Sequence, residues 1–557
     1  MEKTESTHHH PIFPHESSSS FENHSDEEEL FAKTIDKFVL EQVNPDMEKL
    51  EAHDYKVARE LFKYAGDLGL LGADVPEAYG GLAMGKRTAG LIAEKMGFAG
   101  SFSVSFNIHS GVGTLPFVYY GTESQKQKYL SRIISGEWVG AYALTEPNAG
   151  SDALSANTTA KKVADTTDWV LNGEKQWITN AHIADVYVVF ANTDQGMTAF
   201  IIERSTPGVT IGPEEKKLGI KGSSTATVIL EDVRISEDQV LGEIGKGHHI
   251  ALNILNLARL KLSFANIGTS KQALRIAIGY GKERKQFKQS IIQFGMIQEK
   301  IANMAIAIYG AESSAYYTAD RIDRLDKEND ESVLKNLSAY AMDCSVNKVA
   351  ASEVLDYVVD EAVQIHGGYG YMQEYEVERI YRDARINRIF EGTNEINRLT
   401  IAKSFLKKYS QFKSTIEEEL VNGSSNNLFV CYASKIVNII MNALSNTCDL
   451  RNLNQVYARI LADCVKELYV MKGSHINSEV IQKHQQFRKK MTEILCEESY
   501  YRLESNAIVL ISSICSEEDK EQLINEINAF PVMHTNIITK KQEIANEVIE
   551  KNGYFLG

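Results

Sequence analysis

The spacing of apolar residues changes twice along the chain, and these changes limit the folds that it can adopt. Between residues 29 and 140, apolar side chains such as Leu30 and Ile35 recur at the period of an amphipathic helix. Between residues 142 and 245 the pattern becomes a series of short β-branched runs separated by glycine, asparagine and proline, which predicts an antiparallel β-domain. Helical patterns return from residue 249 to about residue 406. The sequence therefore predicts a mainly α-helical fold with a central β-domain.

The same changes predict where one part of the chain gives way to the next. The N-terminal residues include the polar runs THHH and ESSSS, which cannot bury a core. Beyond residue 405, apolar residues such as Phe429, Ile436 and Ile440 again recur at helical spacing. We therefore expect five segments: a disordered tail at 1–25, an N-terminal helical domain at 26–140, the β-domain at 141–245, a helical bundle at 246–405 and a C-terminal helical extension at 406–557.

Composition and charge exclude several functions. The 557 residues carry 59 Lys and Arg against 75 Asp and Glu, a net charge of −16, which disfavours binding to nucleic acid. No uninterrupted apolar run is long enough to span a membrane, and the N-terminus resembles neither a secretory signal nor a transit peptide. No two of the six cysteines have a Cys-x-x-Cys spacing, so no metal site is expected. We expect a cytoplasmic protein from a bacterium.

A candidate general base lies in the segment Tyr381–Leu399, YRDARINRIFEGTNEINRL. There Phe390-Glu391-Gly392-Thr393 interrupts a helical pattern, and Thr393 is suited to cap the helix that follows. A glutamate that loses solvent at such a break has a raised pKa, which makes it a better base near neutral pH. The alternative is a solvated glutamate with only a capping role, and local chemistry alone favours that alternative.

The segment Tyr142–Asp152, YALTEPNAGSD, is a candidate binding loop. Its proline, asparagine and glycine residues predict an irregular backbone whose N–H groups need partners, and Thr145 and Ser151 add hydroxyls. Trp177 offers a flat apolar surface to a cofactor ring, although it could equally be a core residue. The β-domain has neither a G-x-G-x-x-G after a strand nor a P-loop, so a Rossmann or Walker site is not supported.

Three segments resemble those of the acyl-CoA dehydrogenases, the FAD-dependent enzymes of fatty acid β-oxidation. They are RIFEGTNEI at 388–396, YALTEPNAGSD at 142–152 and QIHGGYGY at 364–371. The resemblance covers roughly residues 30 to 405. It implies an N-terminal helical domain, an antiparallel barrel-like β-domain and a four-helix bundle, to which this chain adds the C-terminal helical extension.

The resemblance also implies a reaction. Glu391 would remove the pro-R α-proton of an acyl-CoA thioester while the β-hydrogen leaves as hydride to flavin N5, giving the trans-2-enoyl-CoA. The backbone N–H of the glutamate and a ribityl hydroxyl of the flavin would polarise the thioester carbonyl. Some relatives place the base just before the arginine that corresponds to Arg259. This chain has Ala258 there, so Glu391 is the one candidate at the two family positions.

Other residues acquire expected roles through the same resemblance. Ser151, Asn256, Arg259 and Gly392 would contact the substrate. Arg284 would reach the FAD pyrophosphate across a subunit interface, and the segment from Gln364 to Gly368 would make a second contact of that kind. The residues expected to bind FAD are Tyr142, Leu144, Thr145, Gly150, Ser151, Trp177, Ile178, Thr179, Arg284, Phe287, Gln364, Ile365, Gly367, Gly368, Thr393 and Glu395.

The C-terminal extension resembles that of the very-long-chain branch of the family. That likeness implies long-chain acyl-CoA substrates, a homodimer with a tetramer as the alternative, and electron transfer to an electron-transfer flavoprotein. It also raises peripheral membrane contact through the basic residues Lys483, Arg488, Lys489 and Lys490. Short or branched acyl-CoA from amino-acid breakdown is the second substrate class. An acyl-CoA oxidase and a non-catalytic scaffold are the alternative functions.

Overall fold

The computed structural model describes residues 12–13, 25–328, 337–422, 425–531 and 535–556. Helices form both ends of the described chain and one β-sheet lies between them. The predicted fold class, mainly α-helical with a central β-domain and additional C-terminal helices, is therefore confirmed.

The N-terminal helices pack around their own apolar core, which includes Phe62, Phe102 and Phe106. Helix α1 begins with a capping box, in which the Ser25 side chain accepts from the Glu28 backbone and the Glu28 side chain accepts from the Ser25 backbone. The helices are α1 Asp26–Phe38, α2 Met47–Glu51, α3 Tyr55–Asp67, α4 Lys86–Met96, α5 Ser101–Ser110, α6 Leu115–Tyr120 and α7 Glu123–Ile134.

The central sheet has eight strands, β1 Gly140–Ala143, β2 Thr159–Lys162, β3 Trp169–Thr179, β4 Val186–Thr193, β5 Gly196–Glu203, β6 Val209–Glu214, β7 Thr225–Ile235 and β8 Val240–Leu241. The strand order is β6-β7-β3-β2-β4-β5-β8, and β1 pairs with β4. Most neighbours are antiparallel, but β1 and β4 are parallel, as are β2 and β4. The expectation of a wholly antiparallel domain is wrong on this point, because residue periodicity reports which face is buried but not strand direction.

A bundle of four long helices follows the sheet: α8 Gly247–Glu283, α9 Gly295–Glu328, α10 Ala341–His366 and α12 Asn394–Gln411. Two short strands, β9 Lys285–Gln286 and β10 Gln289–Ser290, form a hairpin between α8 and α9, and the short helix α11 Glu376–Ala384 lies between α10 and α12. The apolar cluster at the centre of the bundle includes Phe264, Ile308 and Val349, all fully buried.

The C-terminal helices pack on the bundle and share its core, because residues such as Leu461 and Leu510 belong to the same buried cluster as Val349. They are α13 Lys413–Asn422, α14 Leu428–Thr447, α15 Gln455–Val480, α16 Gln485–Ile514, α17 Glu517–Asn528 and α18 Ile537–Glu550. Ile12 and Phe13 are also buried in this core, and their backbone N–H groups donate to Glu419 at 3.3 and 2.9 Å. The prediction of a disordered tail is wrong at these two residues; residues 1–11 and 14–24 lie outside the described residues.

Two features bear on membrane contact. Helix α14 is long and apolar enough to cross a membrane by length and composition, but 56% of its apolar window is buried inside the protein, as in a core helix. Of the basic cluster, Arg488 is buried and donates to the Leu556 carbonyl, Lys489 pairs with Glu479, and Lys490 pairs with Glu543 and Glu547. These partners neutralise most of the cluster, which therefore does not form a free basic surface.

Candidate active site

Glu391 lies in a tight turn at the start of α12. Both Glu391 and Gly392 have left-handed backbone conformations, with φ of +56° and +82°. Glycine adopts this conformation without penalty, but at a glutamate it costs on the order of 1 kcal/mol or more. Thr393 caps α12 by accepting from the Ile396 N–H at 3.3 Å. The predicted break between two helices is present, and the strain at Glu391 shows that surrounding contacts determine its position.

Arg259 on α8 is one of those contacts. Its Nε donates to the Glu391 carbonyl at 3.1 Å, and its Nη1 donates to Asn256 Oδ1 at 3.0 Å. Asn256 in turn donates to the Leu337 carbonyl at 3.3 Å. Arg259 and Asn256 are both buried. The structure therefore brings both residues to the Glu391 turn, where Arg259 supports the backbone and Asn256 supports Arg259. Their contact with the substrate stays a prediction.

The environment of Glu391 sets its acidity. Burial raises the pKa of Glu391 to about 7, and the positive charges of Arg259 and Lys348 oppose that rise. A carboxyl group with a pKa near 7 is partly ionised at neutral pH and accepts a proton better than an ordinary glutamate. This matches the requirement for a general base, and we expect proton abstraction to become faster as the pH rises through about 7.

A cavity extends from the Glu391 side chain between α5, α8 and α11. One face of α8 lines it from Ala258 to Gln272, a distance of about 21 Å along the helix at about 1.5 Å per residue. The opposite wall has small residues, among them Gly97, Gly100 and Ser103. Ala258 lines the cavity beside Glu391, so the second family position for a base is occupied by a methyl group. The lining residues therefore follow about four turns of α8 away from Glu391.

The small residues of α5 and of the segment after it differ in whether they face this cavity. Ser103 lines it, but the Ser105 hydroxyl lies 3.0 Å from that of Ser223, and Ser110 accepts two hydrogen bonds from the Lys261 ammonium at the end of α5. Gly113 allows close packing, since a Cβ there would meet the Gly140 backbone at 2.9 Å. Small residues in this segment therefore serve both helix packing and the cavity.

The residues expected to contact the flavin ring lie on β1, in the loop after it and at the end of β3. Trp177 has φ of +58° at an irregularity in the pairing of β3 with β7, and 58% of the residue is exposed. Leu144 and Ile178 next to it are buried in the apolar cores on either side of the sheet. Burial raises the pKa of Tyr142 well above its ordinary value, and its hydroxyl has no hydrogen-bond partner.

A buried ion pair holds the loop after β1, and sequence reasoning missed it. Lys175 Nζ donates to Glu146 Oε1 at 2.6 Å and to the Leu144 carbonyl at 3.1 Å, and both charged side chains are almost fully buried. The Glu146 carboxylate also accepts from the Asn157 and Thr158 N–H groups at 2.5 and 3.0 Å. The only available signal was that Glu146 lies inside the YALTEPNAGSD segment and Lys175 two residues before Trp177.

Several other predicted cofactor residues line a separate cleft of about 630 Å³ at the end of α8, whereas Thr393 and Glu395 lie at the start of α12. The cleft is lined by Arg284, Ile365, Gly367 and Gly368. The Arg284 guanidinium lies 5.3 Å from the centre of the Tyr369 ring. A Cβ at Gly367 or Gly368 would meet nothing within 4 Å, and φ of Gly367 is +59°. Phe287 near this cleft is 88% exposed. Among the described residues, none that lines this cleft also lines the cavity at Glu391.

Both regions fit parts of a flavin dinucleotide. The exposed Trp177 ring offers a flat apolar surface, and the unpartnered Tyr142 hydroxyl needs a polar neighbour. The backbone around Gly150 is open, since a Cβ there would meet nothing within 4 Å. In the second cleft the guanidinium of Arg284 is suited to a phosphate, since its planar fork donates two parallel hydrogen bonds.

Removing the Trp177 ring should weaken cofactor retention. Trp177→Ala is expected to lower the affinity for FAD about fivefold or more, because an aromatic ring contact contributes about 1 kcal/mol beyond its buried area. The flavin-to-protein absorbance ratio after gel filtration measures this loss. Leu218→Ala removes another large apolar side chain, 64% exposed, and should leave the ratio unchanged. Equal flavin retention in both variants would place the ring of the cofactor elsewhere.

Three family models together match most of residues 25–406. The model described as "Acyl-CoA dehydrogenase, N-terminal domain" matches residues 25–137, the middle-domain model residues 141–233, and the C-terminal-domain model residues 245–406. The chain belongs to the acyl-CoA dehydrogenase family. It is therefore an oxidoreductase, as the three sequence segments indicated.

Individual relatives extend this likeness beyond the three domains. A probable acyl-CoA dehydrogenase of Bacillus subtilis is 42% identical in an alignment of 565 positions that covers 96% of this chain and 95% of that protein. The crystal structure of an acyl-CoA dehydrogenase complexed with FAD from Bacillus anthracis is 42% identical, with a TM-score of 0.93 over 97% of this chain and 98% of that one. A very long-chain specific acyl-CoA dehydrogenase of Rattus norvegicus is 39% identical over 358 residues, 62% of this chain and 53% of that protein. The C-terminal helices thus have counterparts in the two Bacillus proteins.

Proposed function

We propose that this acyl-CoA dehydrogenase oxidises long-chain acyl-CoA thioesters to trans-2-enoyl-CoA in fatty acid β-oxidation, with FAD as cofactor and Glu391 as base. The observation that carries the proposal is the position of Glu391 at the closed turn that begins the long cavity. Its pKa of about 7, which burial raises, suits proton abstraction at neutral pH. The relative from Bacillus anthracis that is complexed with FAD supports the cofactor.

Each residue around the turn has a task in this reaction. The α-carbon of the thioester lies beside the Glu391 carboxylate, which takes the α-proton onto one of its oxygens. Arg259 fixes the Glu391 carbonyl and thereby the orientation of the turn. The walls of the cavity exclude water from the acyl chain and align it. Bound FAD supplies the acceptor for the β-hydride. Proton abstraction alone contributes about 10²–10⁴-fold, so alignment and carbonyl polarisation must supply most of the rate.

The length of the cavity favours long acyl chains. Each methylene group buried from water contributes about 0.8 kcal/mol, so a cavity whose lining follows α8 for about 21 Å would gain affinity with every added carbon until it is full. The C-terminal helices and the likeness to the rat very long-chain enzyme point the same way. Short and branched acyl-CoA remains the second candidate class, because Asn107, Lys261 and Asn266 also line the cavity and make its wall partly polar.

We further propose that the enzyme is a homodimer of the bacterial cytoplasm that passes its electrons to an electron-transfer flavoprotein. The Arg284 cleft shares no lining residue with the cavity at Glu391, and this agrees with a phosphate-binding region that serves the cofactor of a second subunit. The exposed rings of Phe287 and Tyr371 near that cleft would be covered in such a dimer.

An anaerobic absorbance titration tests this function. The purified yellow protein is titrated with palmitoyl-CoA, octanoyl-CoA, butyryl-CoA and isovaleryl-CoA, and the loss of flavin absorbance is followed. We expect palmitoyl-CoA to bleach the flavin fastest. Faster bleaching by butyryl-CoA or isovaleryl-CoA would support the same reaction but contradict the proposed preference for long acyl chains. A protein that binds no FAD would remove the enzyme proposal and favour the scaffold.

Oxygen sensitivity separates the dehydrogenase from an acyl-CoA oxidase. The bleached enzyme is exposed to air with and without its enoyl product, and hydrogen peroxide is measured. Slow recovery of the yellow colour in the presence of product supports electron transfer to a protein acceptor. Return of the yellow colour within the time of one catalytic turnover, with one hydrogen peroxide formed for each flavin, would support the oxidase.

A further inference from the structure

A buried lysine touches the Glu391 turn without forming an ion pair. Lys348 on α10 is fully buried, and its Nζ donates to the Gly392 carbonyl at 2.9 Å and to Asn394 Oδ1 at 2.7 Å. Within the described part of the chain, no ion pair includes this ammonium group, and Glu353 on the same helix pairs with Arg398 and Lys466 instead. The residues it binds are neutral, and both belong to the turn or to the first residue of α12.

A buried ammonium group with only neutral partners is costly. Hydrogen bonds to a carbonyl and an amide recover part of the hydration that the charge loses, but they supply no opposite charge. The carboxylate that interacts most with Lys348 is Glu391, followed by Glu395 on α12 and Glu353 on α10. Buried ionisable groups in strongly perturbing surroundings cluster at functional sites, and the turn that Lys348 contacts carries the proposed base Glu391.

The carbonyl groups of the turn are held from three sides. The Glu391 carbonyl accepts from Arg259, the Gly392 carbonyl accepts from Lys348, and Asn397 Nδ2 donates to the Gly392 and Thr393 carbonyls at 2.7 and 3.1 Å. Since consecutive peptide planes are rigid, fixing these carbonyls fixes the left-handed conformations of residues 391 and 392. Lys348 is the member of this set that also reaches Asn394, and so it joins the turn to the start of α12.

We propose that Lys348 is a positioning residue for the dehydrogenation. Its ammonium group fixes the turn that carries Glu391, and its positive charge keeps the Glu391 carboxylate available as a base at neutral pH. The inference rests on the role proposed above for Glu391.

The charges around the base agree with this role. Burial raises the pKa of Glu391, and the two groups that lower it are Arg259 on α8 and Lys348 on α10. From β1, Tyr142 faces Glu391 as a neutral group whose pKa is raised by burial and by that carboxylate. Burial lowers the pKa of Lys348 to about 7 while Glu391 raises it, so the two groups titrate in the same range and as a pair. Loss of the lysine charge therefore makes Glu391 harder to ionise.

The test compares Lys348→Gln, which keeps a hydrogen-bond donor and loses the charge, with Lys348→Arg, which keeps the charge. The rate of anaerobic flavin bleaching by palmitoyl-CoA, or by butyryl-CoA should only that thioester bleach the wild type, is measured from pH 6 to pH 9. In Lys348→Gln we expect the midpoint of the rise with pH to move up by about one unit, so that the rate falls about tenfold at pH 6 and much less at pH 9. In Lys348→Arg the midpoint should stay near that of the wild type.

Lys472→Met is the matched control, because Lys472 is a second buried lysine and lies on α15, where its ammonium is 4.9 Å from the Phe13 ring. Its pH profile should not move. An equal loss at every pH in Lys348→Gln, or an unmoved midpoint, would overturn the inference. If Lys348→Gln fails to fold, a shifted midpoint in Lys348→Arg overturns it and an unshifted one supports it. Retention of bleaching by Glu391→Gln would instead refute the proposed base, which keeps the two failures distinct.

Discussion

Glu391→Gln is expected to lower the rate of flavin bleaching by acyl-CoA by about 10²–10⁴-fold, the usual contribution of a general base. The amide has nearly the shape of the carboxyl group but cannot take the α-proton. Because the cavity and the turn remain, the thioester should still bind, and its binding should perturb the flavin spectrum without bleaching it. Anaerobic stopped-flow absorbance at saturating thioester measures the loss.

The same substitution should stabilise the folded enzyme above neutral pH. In the folded state the pKa of Glu391 is raised by burial from 4.5 to about 7. Between these values the unfolded chain has released the proton and the folded chain still holds it, so the stability of the wild type falls as the pH rises through this window. Glu391→Gln removes this loss. At pH 8 its melting temperature should exceed that of the wild type, and its free energy of unfolding should be higher by up to about 3 kcal/mol. Near pH 4.5 the two proteins should be equally stable.

Asp360→Asn is the control for both measurements, since Asp360 is an exposed carboxylate on α10. It should leave the bleaching rate and the pH dependence of melting unchanged. A Glu391→Gln enzyme that bleaches at more than a tenth of the wild-type rate would show that another group takes the proton. Since Ala258 cannot do so, a base outside both family positions would then have to be sought.

Local sequence patterns predicted the parts of the fold and site that depend on neighbouring residues. Most of the apolar run at 185–191 lies in β4, and the run at 198–203 lies within β5. The break at residues 390–393 separates two helices. Asn256 and Arg259 lie one helical turn apart, so they share a face of α8 and bind each other. The pKa of Glu391 depends on more than this local pattern, because burial raises it while Arg259 and Lys348, from distant segments, oppose the rise.

Contacts between distant segments were not predictable in the same way. In their own segments, nothing distinguishes Lys348, Glu146 and Lys175 from ordinary charged residues. Only the fold brings Lys348 to the Glu391 turn and pairs Glu146 with Lys175 at the loop after β1. The burial of Ile12 and Phe13 depends on Glu419, about 400 residues away, which accepts their N–H groups. The outward position of Trp177 depends on an irregularity in the pairing of β3 with β7, which the apolar pattern does not encode.

Lys271→Met is expected to reduce the stability of the enzyme by about 4 kcal/mol or more, because it leaves two buried carboxylates without their cation. Lys271 Nζ on α8 lies 2.6 Å from Glu94 on α4 and 2.5 Å from Glu312 on α9, and all three are buried. The Tyr554 hydroxyl donates to Glu312 and so joins the C-terminal residues to this cluster. One substitution thus weakens the N-terminal helices, the bundle and the C-terminal end together.

The pH dependence of melting distinguishes this mechanism from simple loss of packing. In the wild type burial raises the pKa of Glu312, but Lys271 outweighs burial and the net pKa is lowered, so this stability is present above about pH 4.5 and is lost as the pH falls. In Lys271→Met the carboxylates gain from taking protons, so its deficit should shrink between pH 7 and pH 5. Lys95→Met breaks a half-exposed pair with Asp36 at 3.3 Å and should cost at most about 1 kcal/mol. A deficit in Lys271→Met that is the same at both pH values would contradict the charge mechanism and assign the loss to packing around the methionine.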